Sequence, residues 1–447
     1  MKLFQRLLVA PAALGLMAPM AANADVSGIS KDSAPNIEVI QLQVDELKSQ
    51  LSQLQDALDK ATPEGSVNQE VIQARVDGVE AQLGEIMAGQ FSSSTKMSGK
   101  AAFITGYVDD DAESDTDSIT MEYMYQLNMI TSFTGEDMLY ARLKAGNVSD
   151  HFVDKGQGTY LSAGKNTSDS LTVDKIWYQF PVGDDVTVWV GPKIENYYML
   201  ASSPSIYKPV TKQFSLGGNG TVYGSSTKAG FGAAYVQPTE DPSDGRFAVS
   251  VAYTNQSGAK SGKDQGLFGE DGKSALLTKL EYGTPQWQVS GAVALKENGW
   301  EDSYFTTALG KDRSAAGSET AVGLRAYWRP DTTGAIPEVQ LAYDVSTIDD
   351  APIGFADEAS GWMVGLGWKD LLIDGNRAGV AFGSRVSATS IVGGTSDPSE
   401  DNSVWEAYYS FKINDGVTVT PAFFGGSDVE SEGKDVSGAV VLTEFRF

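Results

Sequence analysis

From Lys96 to the last residue the sequence runs with a period of two, and nowhere in it are there the roughly 18 consecutive apolar residues of a membrane-spanning helix. The clearest stretch sets Ile119, Met121, Tyr123, Tyr125, Leu127, Met129 and Phe133 on one face and Thr120, Glu122, Gln126 and Asn128 on the other. Successive strand residues point to opposite faces, so this chain must build sheets with one apolar side and one polar side. A soluble sandwich hides the apolar side. An outer-membrane barrel turns it to lipid and lines a lumen with the polar one.

The connections separate these readings. About sixteen strands are predicted between residues 97 and 447, among them 361–369 and 377–385, and their links alternate between a long loop and a short turn. Thr134-Gly135-Glu136-Asp137, Val182-Gly183-Asp184-Asp185, Gly283-Thr284-Pro285 and Asn414-Asp415-Gly416 are the short turns. Long loops on one side, short turns on the other and both ends on the short side is the topology of an outer-membrane barrel, the one sheet that leaves no backbone edge in lipid. The final stretch, 436–447, places Val441, Thr443, Phe445 and Phe447 on one face, so Phe445 and Phe447 read as an aromatic assembly signal on a closing strand.

Ahead of the strands the chain divides twice. Residues 1–24 read as a secretory signal peptide: Lys2 and Arg6 precede an apolar run to Met20, and Ala22-Asn23-Ala24 offers a small-residue cleavage site. Residues 25–90 read as a periplasmic coiled-coil segment. Ile40, Val44, Leu47, Leu51, Leu54 and Leu58 alternate at three and four, and after a Pro-Gly break Ile72, Val76, Val79, Leu83 and Ile86 follow. Such narrow stripes need partner helices, supplied either by an antiparallel hairpin or by parallel association in a homotrimer. Residues 91–447 form the predicted transmembrane barrel.

Composition narrows the function. A net charge of −26, with Lys2 and Arg6 confined to the leader, excludes a nucleic-acid partner. There is no cysteine, hence no disulfide framework for an exported chain. The acidic run Asp109 to Asp117, like Asp349-Asp350, 397–401 and 428–432, lacks EF-hand spacing, so no metal site and no cofactor are expected. Such runs solvate outer loops, draw cations to the mouth or bridge lipopolysaccharide. The single histidine, His151, has no nucleophile motif near it, which argues against an enzyme.

Several stretches carry a family resemblance. Lys2-Leu3-Phe4-Gln5, Phe91 to Lys100, Asp174-Lys175-Ile176-Trp177-Tyr178, Phe180 to Asp184, Val190-Gly191-Pro192 and Arg377 to Gly383 resemble cyanobacterial outer-membrane porins of the iron-uptake and carbohydrate-selective (OprB-like) family. The resemblance implies a passive pore, usually trimeric, in the outer membrane. Many relatives carry a surface-layer-homology domain, for which 25–37 is too short, so contact with peptidoglycan stays open.

The longest loop, Pro192 to Thr227, is where porins commonly narrow the channel. Lys193, Glu195, Tyr197, Tyr198, Tyr207, Lys208 and Lys212 are the expected constriction residues; the tyrosines either stack on a sugar or pack the loop against the wall. By alternation Arg142, Lys144, Lys175, Arg325, Arg329, Lys369, Arg377 and Arg385 face the lumen, opposed by Glu122, Glu338, Asp344 and others. Diffusion of small solutes is the leading function, inorganic ions including iron species first, carbohydrates as the alternative and an envelope-tethering barrel as the third reading. The partners are lipid bilayer, lipopolysaccharide and solutes in transit.

Overall fold

The computed structural model describes residues 94–447 except 111–117, 219, 225–226, 242, 301, 306–316, 395–400 and 430–432. The predicted leader, the coiled coil and most of the acidic runs at 109–117, 397–401 and 428–432 lie outside the described residues.

The described chain is one closed antiparallel barrel of sixteen strands, each hydrogen-bonded to its sequence neighbours, with β1 closing against β16. The strands are β1 Thr95–Asp110, β2 Thr120–Thr131, β3 Met138–Gly146, β4 Thr172–Val182, β5 Val186–Ile194, β6 Lys228–Val236, β7 Arg246–Asn255 and β8 Ser274–Gly283. They continue as β9 Trp287–Glu297, β10 Ser318–Trp328, β11 Glu338–Ile348, β12 Ala356–Lys369, β13 Arg377–Ile391, β14 Ser403–Asn414, β15 Val417–Ser427 and β16 Val436–Arg446.

The outer face carries the apolar half of the alternation. On β8, Leu276 and Leu280 are exposed while Ala275, Leu277, Lys279 and Glu281 are buried; Val289, Val293 and Leu295 continue the exposed belt on β9. Lipid is the medium in which such a belt is stable. Aromatics gather at the short-turn rim: Phe247 and Tyr282 lie 4.5 Å apart, Tyr282 and Trp287 5.8 Å, and Tyr409 and Phe411 4.7 Å. This is the interfacial girdle of a membrane barrel.

The last strand closes as the sequence predicts. Phe445 meets Phe103 edge-on at 5.1 Å, and Phe447 stacks on Tyr125 at 6.0 Å. Gly99 N–H donates to the Phe447 carbonyl at 2.6 Å, and Phe447 N–H donates to the Gly99 carbonyl at 3.1 Å. A Cβ on Gly99 would meet the Phe447 ring at 2.1 Å, so a larger residue here would push that ring aside.

Three expectations change. β12 begins at Ala356 rather than 361 and β13 runs to Ile391 rather than 385. Their shared ladder extends above the apolar belt through register shifts around Glu358 and Ser360, where bulges erase the period of two. The alternation of connection length is imperfect, since 237–245 and 329–337 on the short-turn side outrun 349–355 on the other. The interior is not polar throughout. Ala102, Ile104, Met124, Phe152, Leu161, Val210, Phe214 and Phe424 form one buried apolar cluster inside it; Trp177, Trp189, Met199, Tyr223, Ala252 and Leu277 belong to a second. Loops that fold into a barrel must bury their own apolar side chains, and small inward residues make the room.

Candidate constriction site

Loop 3, residues 195–227, leaves β5 and crosses the barrel interior. Its first anchors are on β7 and β8: Ala201 N–H donates to Ser250 Oγ at 2.9 Å, and Lys279 Nζ donates to the Ser202 carbonyl at 3.1 Å. Ile206 N–H then reaches Gln340 Oε1 on β11 at 3.0 Å. On β14, almost opposite β5 in the strand order, Glu406 accepts from Tyr207 Oη (2.9 Å), Val210 N–H (3.1 Å), Thr211 N–H (2.8 Å) and Thr211 Oγ1 (2.5 Å). Glu406 is only 1 % exposed, so these four donors replace its water. On the way back the Leu216 carbonyl accepts from Arg325 Nε at 2.9 Å.

A second loop, 147–171, also lies inside the barrel, which the sequence reading missed. Leu161 and Thr211 form an antiparallel bridge, Ser162 N–H donates to the Val210 carbonyl at 2.7 Å, and Lys212 N–H donates to the Tyr160 carbonyl at 2.7 Å. Arg385 on β13 donates to the carbonyls of Lys155 and Gly156. Gly158 has φ +78 and sits so close that a Cβ would meet Arg385 Cδ at 3.1 Å, which fixes glycine there. The missed signal was Val148, Phe152, Leu161 and Ala163, more apolar side chains than a solvated loop needs.

The interior charges divide by cover, and Lys279, Lys296, Asp302 and Glu319 join the wall residues expected from the sequence. Lys175 pairs with Glu195, Lys279 with Glu281, Lys296 with Glu319 (3.2 Å) and Asp302 (3.6 Å), and Arg325 with Asp344 (2.7 Å). These pairs are buried. Burial pushes the Glu195 carboxyl above its usual range, and Arg142 with the Thr227 hydroxyl only partly offsets this. Glu122 is buried against the Ser149 hydroxyl.

The more open wall is different. Asp174 takes Arg142 at 2.5 Å and Lys165 at 3.2 Å, Glu338 takes Lys369 at 2.6 Å and Arg329 at 3.3 Å, and Glu444 takes Lys100 at 2.5 Å and Arg446 at 3.5 Å. Each carboxylate there answers two cations. Among the described residues Lys144, Lys155, Lys208, Lys212 and Arg377 form no ion pair with a carboxylate. On this more open wall the cations therefore outnumber the carboxylates.

The predicted loop residues fare unevenly. Lys193 is a correction: it sits in β5, exposed, with Nζ on the Val173 carbonyl at 2.6 Å, because the strand runs on through Pro192 to Ile194 before the loop begins. The tyrosines pack rather than present their faces. Tyr207 is buried on Glu406, Tyr198 receives Arg142 at 3.2 Å and lies edge-on to Trp177, and Tyr197 is edge-on to Tyr198. Lys208 is exposed, its carbonyl accepting from Tyr408 Oη at 2.7 Å, and Lys212 Nζ lies 3.9 Å from the centroid of the Tyr160 ring.

This architecture has close counterparts. The sequence model described as "Carbohydrate-selective porin, OprB family" matches residues 58–424. The chain belongs to the OprB family. OprB of Pseudomonas putida superposes with a TM-score of 0.56 at 11% identity, covering 82% of this chain and 97% of that one. OmpF of Salmonella typhi gives 0.52 at 11% identity, covering 79% and 97%. An uncharacterized protein of Nostoc sp. is 25% identical over 376 residues, 75% of this chain and 62% of its own length. Another, of Synechocystis sp., is 24% identical over 408 residues, 80% of this chain and 70% of its own. This OprB-family chain thus spans less than two thirds of the Nostoc relative. The chain thus has the family and the barrel fold of outer-membrane porins, and of the solutes expected from the sequence, carbohydrate, the alternative there, agrees with the family description better than ions or iron.

Proposed function

We propose that the protein is a passive outer-membrane channel for small carbohydrates, conducting small anions alongside them. The supporting observation is loop 3, held across the barrel by β7, β8, β11 and β14, which narrows the lumen without a moving part. Arg142, Lys144 and Asp174 offer a polyhydroxylated solute donors and acceptors at that level, while Tyr197, Tyr198 and Tyr207 take the packing alternative and not the stacking one. Two cations per open carboxylate favour anions. Hydrated iron cations meet this surplus as a barrier, so an anionic chelate is the form of iron that fits.

We further propose a homotrimer whose 25–90 segments associate in the periplasm, with lipopolysaccharide around the outer loops and contact with peptidoglycan left to that segment. Proteoliposome swelling tests the solute class: glucose and a disaccharide should enter, the disaccharide more slowly. Vesicles that conduct KCl but exclude both sugars would sink the carbohydrate reading and leave an ion channel.

A further inference from the structure

The outer wall over β8 to β11 is not smooth. Gly291 on β9 stands in register between Leu280 on β8 and Leu324 on β10. One row nearer the short turns, Ala326 on β10 stands between Val289 on β9 and Leu341 on β11. The two small residues are thus diagonal neighbours among large ones, and together they floor a groove of about 490 Å³ on the outside of the barrel, with Tyr282 and Tyr343 on its flanking strands. A Cβ built on Gly291 would meet Leu324 Cδ2 at an ordinary 3.7 Å, so this glycine leaves room rather than relieving a clash. Leu280 and Leu324 are 54 % and 55 % exposed, against 39 % for Leu276 and Val293 elsewhere on the belt, because Gly291 covers the flank of neither.

The place of the groove says what fills it. Its outward side chains are apolar and it is continuous with the belt that faces hydrocarbon, where an unfilled hollow forfeits dispersion contacts. A volume of this size is that of a ligand pocket, in the range of about 300–1,000 Å³. One end lies against Tyr282, whose ring is 5.8 Å from that of Trp287 in the girdle at the short-turn rim. That girdle marks the interface of the periplasmic leaflet, which is phospholipid, so the nearest filling is a phospholipid chain from that side. A neighbouring barrel is convex as this one is, and a hollow sunk below a row of leucines takes a slender chain rather than a wall.

The strands behind the groove carry loop 3. Arg325 Nη1 donates to the Leu324 carbonyl at 2.9 Å and to the Tyr343 carbonyl at 3.3 Å, while its Nε holds the Leu216 carbonyl of the loop. A chain seated against Leu324 and Tyr343 therefore braces the wall from which this arginine works.

We propose that the groove floored by Gly291 and Ala326 is a binding site for one acyl chain of a phospholipid from the periplasmic leaflet, held apart from the exchanging lipid around the rest of the belt. The site rests on the barrel standing in an outer membrane and not on which solute passes through it.

Native mass spectrometry of the full chain, purified in octyl glucoside and titrated with palmitoyl-oleoyl phosphatidylethanolamine, counts the lipids each chain retains. Saturable retention of one phospholipid per chain is expected. Gly291→Leu/Ala326→Leu fills the groove and should weaken that retention about tenfold or more, since the new side chains take the apolar surface that the acyl chain would bury. Gly291→Ala, which the 3.7 Å contact admits, should give part of that loss if the double variant assembles poorly. Val251→Leu, on the exposed belt of β7, should change nothing, and the filled channels should conduct as the natural ones do. Absence of saturable retention, equal retention in the natural and filled forms, or a filled form that loses only detergent adducts would overturn the site. Tighter retention of purified lipid A than of the phospholipid would overturn it in favour of the other leaflet. A filled form that keeps its lipid but falls from oligomer to monomer would overturn it in favour of a second copy of the chain.

Discussion

Two sides of the same barrel use the same residue types for opposite purposes. Along β8 to β11, Lys279, Lys296 and Arg325 lie beneath loop 3 and its neighbours, each matched to carboxylates and 0–4 % exposed. On β1, β3, β12 and β13, Lys100, Arg142, Lys369 and Arg377 keep contact with the lumen and, with Lys165, Arg329 and Arg446, outnumber their carboxylates. Both sides read identically as inward charges in an alternating strand. The cover of a loop turns one set into structure and leaves the other open to the lumen.

The sharpest way to break this comparison is to remove one charge from each side. Arg325→Ala strands Asp344 in a buried site and is expected to cost about 3–5 kcal/mol of stability, whereas Arg377→Ala, exposed to the lumen, should cost about 0.5 kcal/mol or less. Thermal melting in detergent checks both. Similar losses on the two sides would erase the distinction. Glu406→Ala tests the loop itself: four donors lose their acceptor, so melting should drop by about 1–3 kcal/mol and single-channel conductance should rise and become noisy as loop 3 detaches. An unchanged, quiet conductance would mean that loop 3 is held without this anchor.

A smaller effect is expected at the seam. Deleting Phe447 removes the stack on Tyr125 and the backbone pairing with Gly99, so less protein should insert while the conductance of each inserted channel stays as before. Quantifying folded barrels per cell separates insertion from conduction. Smallest of all is the change expected from neutralising Asp349 and Asp350 in the exposed 349–355 loop. At physiological salt the Debye length is about 8 Å, so their pull on cations should appear only in dilute salt.

The barrel was legible because the period of two and the short turns are local. Sixteen strands, their order and the closing Phe445–Phe447 stretch follow from them; the β12–β13 extension, masked by bulges, and the run of β5 on to Ile194 do not. The constriction was legible in part. Loop 3 announced itself by length, but Lys193 was misassigned because Pro192 read as a strand end, although the strand tolerates it at a register shift. Loop 2, Tyr160 and Lys155 were invisible for a different reason. The apolar side chains of Val148, Phe152, Leu161 and Ala163 hint only that 147–171 is buried somewhere; that it folds inward rests on its meeting with Val210 and Thr211 on loop 3, and that contact is long-range.

The claim that surplus interior charge governs selectivity is tested most directly by the reversal potential of single channels in a KCl gradient near 1 M, where the Debye length is about 3 Å and outer-loop charges are screened. The natural protein should favour chloride, and Lys144→Gln/Lys208→Gln/Lys212→Gln should move the reversal potential toward potassium. A channel that favours potassium at high salt, or one whose reversal potential does not move in the triple variant, would contradict it.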